Sequence, residues 1–156
     1  MKALLFGRED VVRPFMEALV ETPGAFSEGR AVGLVEVDEQ AGSAELIAGC
    51  WFEKWNGVNL HMHIAAKPGR QWMTREFLWY CFHYPFVELG CKRVTGYVEA
   101  ANMDARRFDE HLGFKIEARL KDAAPTGDVL VYVMFKDECR WLKLKPPKWA
   151  TRKVEH

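Results

Sequence analysis

The stretch from residue 58 to residue 100 constrains the fold more than any other. VNLHMHIAA (58–66) reads as an apolar strand, which a Pro-Gly break and a short basic loop end. A helix follows from about Thr74, placed as its N-cap, towards Glu88, with Phe77, Leu78, Cys81, Phe82 and Phe86 on one apolar face. Pro85 should kink or shorten this helix, and Gly90 is a good stop for it. CKRVTGYVEA (91–100) is then a second strand. Two strands joined by a helical crossover are expected to lie parallel in one sheet. Between the first strand and the helix, exposed amides and a helix N-terminus make a natural cradle for phosphate. Such cradles usually carry several glycines, and here Gly69 stands alone.

The flanking segments complete a mixed sheet. KALLF reads as a short strand and EDVVRPFMEALVE as a helix with Pro14 near its first turn. AVGLVEVD (31–38) and AELIAGCWFEKW (44–55) form a hairpin around Gly42, and Asn56-Gly57 is a turn signal into the strand at 58–66. Past residue 100, Asn102 caps a short helix whose Ala105, Phe108 and Leu112 share a face, and two strands close the chain around the turn AAPTG. The order β-α-βββ-α-β-α-ββ predicts an α/β (α+β mixed sheet) domain with flanking helices. A chain of 156 residues fits one such domain with a real core. The formal net charge of +0 gives bulk electrostatics no case for nucleic acid or an acidic membrane. No apolar run approaches the ~18 residues that a bilayer span needs. Charges follow the N-terminal apolar patch too soon for a signal peptide, so a cytoplasmic location is expected. Cys50, Cys81, Cys91 and Cys139 lie inside apolar patterns with no CxxC spacing; they read as reduced thiols, and no metal site is expected.

NMDARRFDEHLGFKIEARL carries a resemblance. Asn102 opens the last helix, Phe108 and Glu110 lead into Leu112-Gly113-Phe114, and Glu117 follows on a strand. In this strand-helix order, over residues 31–137, the chain resembles the GNAT (Gcn5-related N-acetyltransferase) superfamily. The branch that acetylates protein N-termini and small amines is nearest in pattern, and small acetyltransferase-like proteins of tailed phages also look similar. Independently, Gly113 directly after a helix can take the left-handed conformation that ends it, and Phe114 then enters the core.

The resemblance implies the GNAT acyl-CoA N-acyltransferase fold, acetyl-CoA as the cofactor, and direct acetyl transfer to a primary amine while both are bound. The family's Arg/Gln-x-x-Gly-x-Gly/Ala loop is best matched by Gln71-Trp72-Met73-Thr74-Arg75-Glu76. Gln71 fits, whereas Thr74 and Glu76 depart from the small positions, where glycine lets a backbone approach phosphate closely. Arg70 and Arg75 add cationic charge at the same end. Trp72 is either a lid over the cofactor or part of a protein interface. The resemblance places the oxyanion donor at a backbone amide within Met62–Ile64. It also pairs the pantetheine arm with Ile64, Ala65 and Ala66, where small side chains leave room, and sets Asn102 and Phe108 among the cofactor-binding positions. Three residues are candidates for the base: His61 and His63, which share a strand face, and Glu99 at the end of the neighbouring strand. The family's proton-donating Tyr is replaced by Asp109, which removes that donor unless Tyr97 or Tyr132 substitutes.

Residues 1–138 are read as the GNAT-like domain and 139–156 as a basic, Trp-containing C-terminal tail. The tail could be solvated with Trp141 packed on the domain, dock a protein partner, or bind nucleic acid, the least favoured reading. Two functions follow. One is an N-acetyltransferase acting on a small-molecule or protein amine, a homodimer by family habit. The other is an inactive GNAT-fold structural or interaction protein, such as a phage virion component. The first requires an open V between the strands at 58–66 and 91–100; in the second, Trp72 or Met73 would plug it.

Overall fold

The computed structural model describes residues 1–20 and 24–145. Seven strands form one sheet in the order β1-β2-β3-β4-β5-β7-β6. β1 (Lys2–Phe6), β2 (Gly29–Asp38), β3 (Ser43–Glu53) and β4 (His61–Ala66) run antiparallel to one another. β5 (Arg93–Glu99) is parallel to β4, and β7 (Gly127–Phe135) and β6 (Lys115–Ala124) finish the sheet antiparallel. α1 (Glu9–Leu19) covers one face, its Val12 and Met16 packed with Phe26, Ala31 and Trp51. α2 (Arg75–His83) and α3 (Met103–Leu112) cover the other, with Phe77, Phe82 and Leu112 in the larger core. The predicted element order holds throughout.

The local signals act as chemistry requires. Thr74 Oγ1 accepts the Phe77 amide at 3.2 Å, and Asn102 Oδ1 accepts the Ala105 amide at 3.1 Å, so both helices start at a capping side chain. Gly113 ends α3 at φ +111°, a conformation that costs other residues steric strain. Pro85 cannot donate into an α-helix, and there the chain widens into a π turn over Tyr84–Glu88, closed by the Leu89 amide on Tyr84 O at 3.0 Å. Phe86 in that turn is fully buried.

Several boundaries differ from expectation by a few residues. Asn56-Gly57 does not make a two-residue hairpin, and β4 begins at His61 rather than 58. Residues 58–60 are recruited by the start of β5 instead: Val58 O accepts the Lys92 amide and Leu60 O accepts that of Thr95. Asn56 Oδ1 stabilises the loop by accepting the Val58 and Asn59 amides. Beyond the expected domain boundary at 138, Cys139 is buried and Trp141 donates Nε1–H to Leu112 O at 2.8 Å while stacking on Phe82. The first residues of the basic segment thus pack on the domain, one of the readings for the tail; its remainder, from 146, lies outside the described residues. All four cysteines are free and buried. No described helix is long and apolar enough to cross a membrane.

α1 sits close to the sheet because Gly49 has no side chain. A Cβ there would come within 2.9 Å of Met16 Sδ and Val12 Cγ1. Gly49→Val is expected to destabilise the protein by about 1–3 kcal/mol through overpacking, read as a lower midpoint in chemical denaturation.

Candidate active site in the opening between two parallel strands

β4 and β5 are paired along their outer edges, β4 to β3 and β5 to β7 over its whole length, yet meet each other at a single residue pair, His61↔Thr95. Beyond it they part. In a strand, alternate residues aim their backbone groups at opposite neighbours. The Lys67 amide bonds Ile47 O on the β3 side, and Leu60 O accepts from Thr95 on the β5 side. By that alternation the N–H and C=O of Ile64, past the last β4–β5 pair, face the opening. A free strand edge of this kind can take an extended, amide-bearing ligand as an added strand.

A cleft of about 840 Å³ occupies the opening. Met62, Ile64, Ala65 and Ala66 form one side and Gly96, Val98 and Glu99 the other, with Phe26 and Met16 from the α1 side and Ala105, Phe108 and Asp109 from α3. Trp72 stands at its edge, 4.8 Å from Phe108 and 6.2 Å from Phe77 between ring centroids. Trp72 is a wall of the cleft and not a plug; Met73 lies outside it and is 42% exposed. The titratable groups around the cleft are His63, Tyr97, Glu99 and Asp109, and no Lys or Arg among the described residues lines it.

The three candidate bases have different surroundings. His63 faces the cleft and its Nε2 is 3.0 Å from Glu53 Oε1, while its ring packs on Phe26. Glu53 is 6% exposed, and its other oxygen accepts the Ser27 amide at 2.7 Å and the Ser27 hydroxyl at 2.8 Å. Burial pushes the Glu53 carboxyl up, but the bonds from His63 and Ser27 outweigh it and hold it at about 2. An ionised Glu53 accepts only, so it fixes the proton of neutral His63 on Nε2 and leaves Nδ1 as the free acceptor. His61 packs against Tyr97 outside the cleft, and burial together with Lys54 lowers its pKa. Glu99 is exposed at the mouth, where Oε2 accepts the Thr126 hydroxyl at 3.0 Å.

Asp109 also lines the cleft, from the opposite face of the sheet to His63. Burial, with Glu110 beside it, pushes its carboxyl up to about 7. Asn102 caps α3 at the rim.

A second concavity of about 400 Å³ adjoins the first at Trp72 and is lined by Lys2, Arg70, Gln71, Met73 and Thr74. The cap made by Thr74 leaves the Arg75 and Glu76 amides as remaining donors at the α2 N-terminus, where an anion is favoured. Arg70 is less free than its place suggests: its guanidinium bonds Glu36 at 2.5 Å and Glu45 at 2.9 Å, and Lys67 also reaches Glu45. Lys2, from the first strand, is the cation that sequence reading missed. The residues present fit a CoA-type ligand: a free strand edge at Ile64, small side chains at Ala65 and Ala66, and amides and cations beyond Trp72.

A mixed seven-stranded sheet that opens between its two parallel central strands, with a helix N-terminus directly after the first of them, is the architecture of the GNAT acyltransferases. The solved structure of the spermidine N-acetyltransferase from Vibrio cholerae in complex with CoA and spermine superposes with a TM-score of 0.64 at 15% identity, covering 88% of this chain and 96% of that one. A GNAT-family acetyltransferase from Bacillus anthracis superposes at 0.57 and 17% identity, covering 83% and 76%. The chain has the GNAT fold, as its Leu112-Gly113-Phe114 segment implied. No family model and no curated protein sequence matches it.

Glu53 and Ser27 carry no sequence signal that joins them to His63. The strand pairing of Glu53 with His61 and the loop held by the Trp51 Nε1–H bond to Ser27 O bring them together. Because the folded-state pKa of Glu53 lies below its ordinary value of 4.5, its contribution to stability is present above that pH and is lost as the pH falls towards about 2. Glu53→Gln should flatten this acid limb in denaturation measured across that window, whereas the variant Glu99→Gln should leave it in place.

Proposed function

We propose that the protein is an acetyl-CoA-dependent N-acetyltransferase whose acceptor is a small cationic amine, with polyamines the first class to test. The observation that carries this reading is the cleft itself: a free strand edge at Ile64 opens onto a lining whose charge is the Glu99 carboxylate, with no Lys or Arg among the described residues. Such a lining favours an ammonium-bearing acceptor and disfavours an acidic one. The polyamine acceptor of the Vibrio cholerae neighbour supports the same class.

Acetyl-CoA would supply the acyl group as an activated thioester. On the protein's side, the Ile64 amide is the donor for the acyl oxygen as it gains charge, in a site where a preorganised N–H counts most. Ala65 and Ala66 leave space beside the strand edge, and Trp72 with Phe108 forms an aromatic wall beside it. His63 Nδ1 accepts the proton the amine must lose, while Glu53 holds the imidazole in the tautomer that permits this. Glu99, exposed in the cleft lining, would meet a second ammonium of a polyamine.

Calorimetric titration with acetyl-CoA, followed by an acetylation assay with spermidine, tests the reading. Binding in the micromolar range with turnover is expected. His63→Ala should lower kcat/KM on the order of 10²-fold, the usual worth of a positioned base. Trp72→Phe should remove most of the change in tryptophan fluorescence caused by acetyl-CoA. A protein that binds no acetyl-CoA at millimolar concentration would instead be a GNAT fold that serves as an interaction or structural module.

A further inference from the structure

Asp109 is a carboxyl group set above the point where β4 and β5 part, with nothing to pair it. Its Oδ2 lies 3.8 Å from the position that a Cβ on Gly96 would take, and the same position is 3.9 Å from Met62 O. The carboxyl thus lies next to the bare backbone of Gly96, one residue past the last β4–β5 pair. Among the described residues no hydrogen bond or ion pair reaches it. Glu110 stands beside it on its own helix, and Tyr132 on β7, whose hydroxyl donates to Glu110 and interacts with Arg106, lies against the same Gly96 position. Across the cleft stand Tyr97 and Glu99 on β5 and His63 on β4. No cation in that set touches its oxygens. Asp109 is half-buried, and a carboxyl kept for structure in such a place normally brings a partner. Here the uncompensated group faces a cleft, which is the arrangement of a functional acid.

We propose that Asp109 is the proton donor to the leaving sulfur in this cleft. The inference rests on the acetyl-transfer reading above. As the amine nitrogen bonds to the acyl carbon, the C–S bond breaks and its electron pair goes to sulfur; the sulfur takes the carboxyl proton of Asp109. The proton lost by the amine goes to His63. Water then restores the proton of Asp109 and removes that of His63, so the products are the amide and the free thiol. Donor and acceptor lie on opposite faces of the sheet and communicate through the opening between the strands. Burial and Glu110 hold the Asp109 carboxyl at about 7, so a large share of it carries its proton at neutral pH.

Two measurements on the intact protein test this. The first needs no turnover: carbon-13 NMR of aspartate-labelled protein should show one carboxyl that titrates near 7 and is missing in Asp109→Asn. A spectrum in which every Asp titrates in the ordinary range near 3.8 would overturn the proposal. The second is the pH profile of kcat. The wild type should lose activity as the pH rises through about 7. Asp109→Asn should be slower on the order of 10²-fold below that pH and lack the alkaline limb. A variant that keeps both the wild-type rate and the wild-type limb overturns this role alone. Absence of acetyl-CoA binding by the wild type overturns the acetyl-transfer reading and this role with it.

Folding of the variant is checked by stability. With a folded-state pKa raised from 3.8 to about 7, the native state holds a proton that the unfolded chain releases, so wild-type stability falls as the pH rises across that interval. Asp109→Asn should fold and should show less of that fall.

Discussion

The parting of β4 from β5 is the constraint on which the rest of the molecule depends. Each strand is satisfied along its outer edge, and the two share one residue pair. Backbone groups left unpaired inside a protein are costly unless something meets them. The chain meets this cost by lining the gap with an accessible cleft, so water or a ligand can reach the Ile64 edge. The surrounding choices follow from it: alanines at 65 and 66, glycine at 96, and a helix start just past the end of β4.

A second consequence is that the opening connects the two faces of the sheet. His63 and Glu53 sit on the α1 face and Asp109 on the α3 face, so the opening brings together two carboxyl groups whose proton affinities are shifted in opposite directions. Glu53 is held ionised by donors that converge on it. Asp109 is held towards its neutral form by burial and by Glu110 beside it, with no donor to offset them. The same side chain chemistry thus serves opposite roles according to how many N–H and O–H groups surround it. Along the sheet the charge also changes sign, from the Glu99 carboxylate at the cleft to Lys2 and the α2 N-terminus beyond Trp72.

Much of the fold was legible in the sequence. Thr74, Asn102 and Gly113 act at the helix ends where their chemistry placed them, and Pro85 disturbs the helix that it was expected to disturb. Asn56-Gly57 misled, because the competing partner for residues 58–60 was the start of β5, thirty-odd residues on, which no local turn preference reports. The candidate site was legible in part. His63, Ile64, Ala65, Ala66, Trp72 and Phe108 gather around the cleft, while His61 and Met73 fall outside it, and Arg70 is engaged by Glu36 and Glu45. Asp109 read as the loss of a proton donor; its location and burial give it the means to be one.

By itself, then, the sequence determined what depends on short range: the order of helices and strands, their caps and breaks, and through the crossover the parallel pair at the centre. Periodicity, proline and glycine act within a few residues, and one chain carries that information openly. Only the tertiary structure decided what the side chains near the opening can do. Glu53 joins His63 across a separation of 10 residues and Ser27 joins Glu53 across 26, and Asp109 acquires its properties from its place over Gly96. Proton affinity is set by the surrounding solvent, charge and donors, and those are known only once distant segments have packed together.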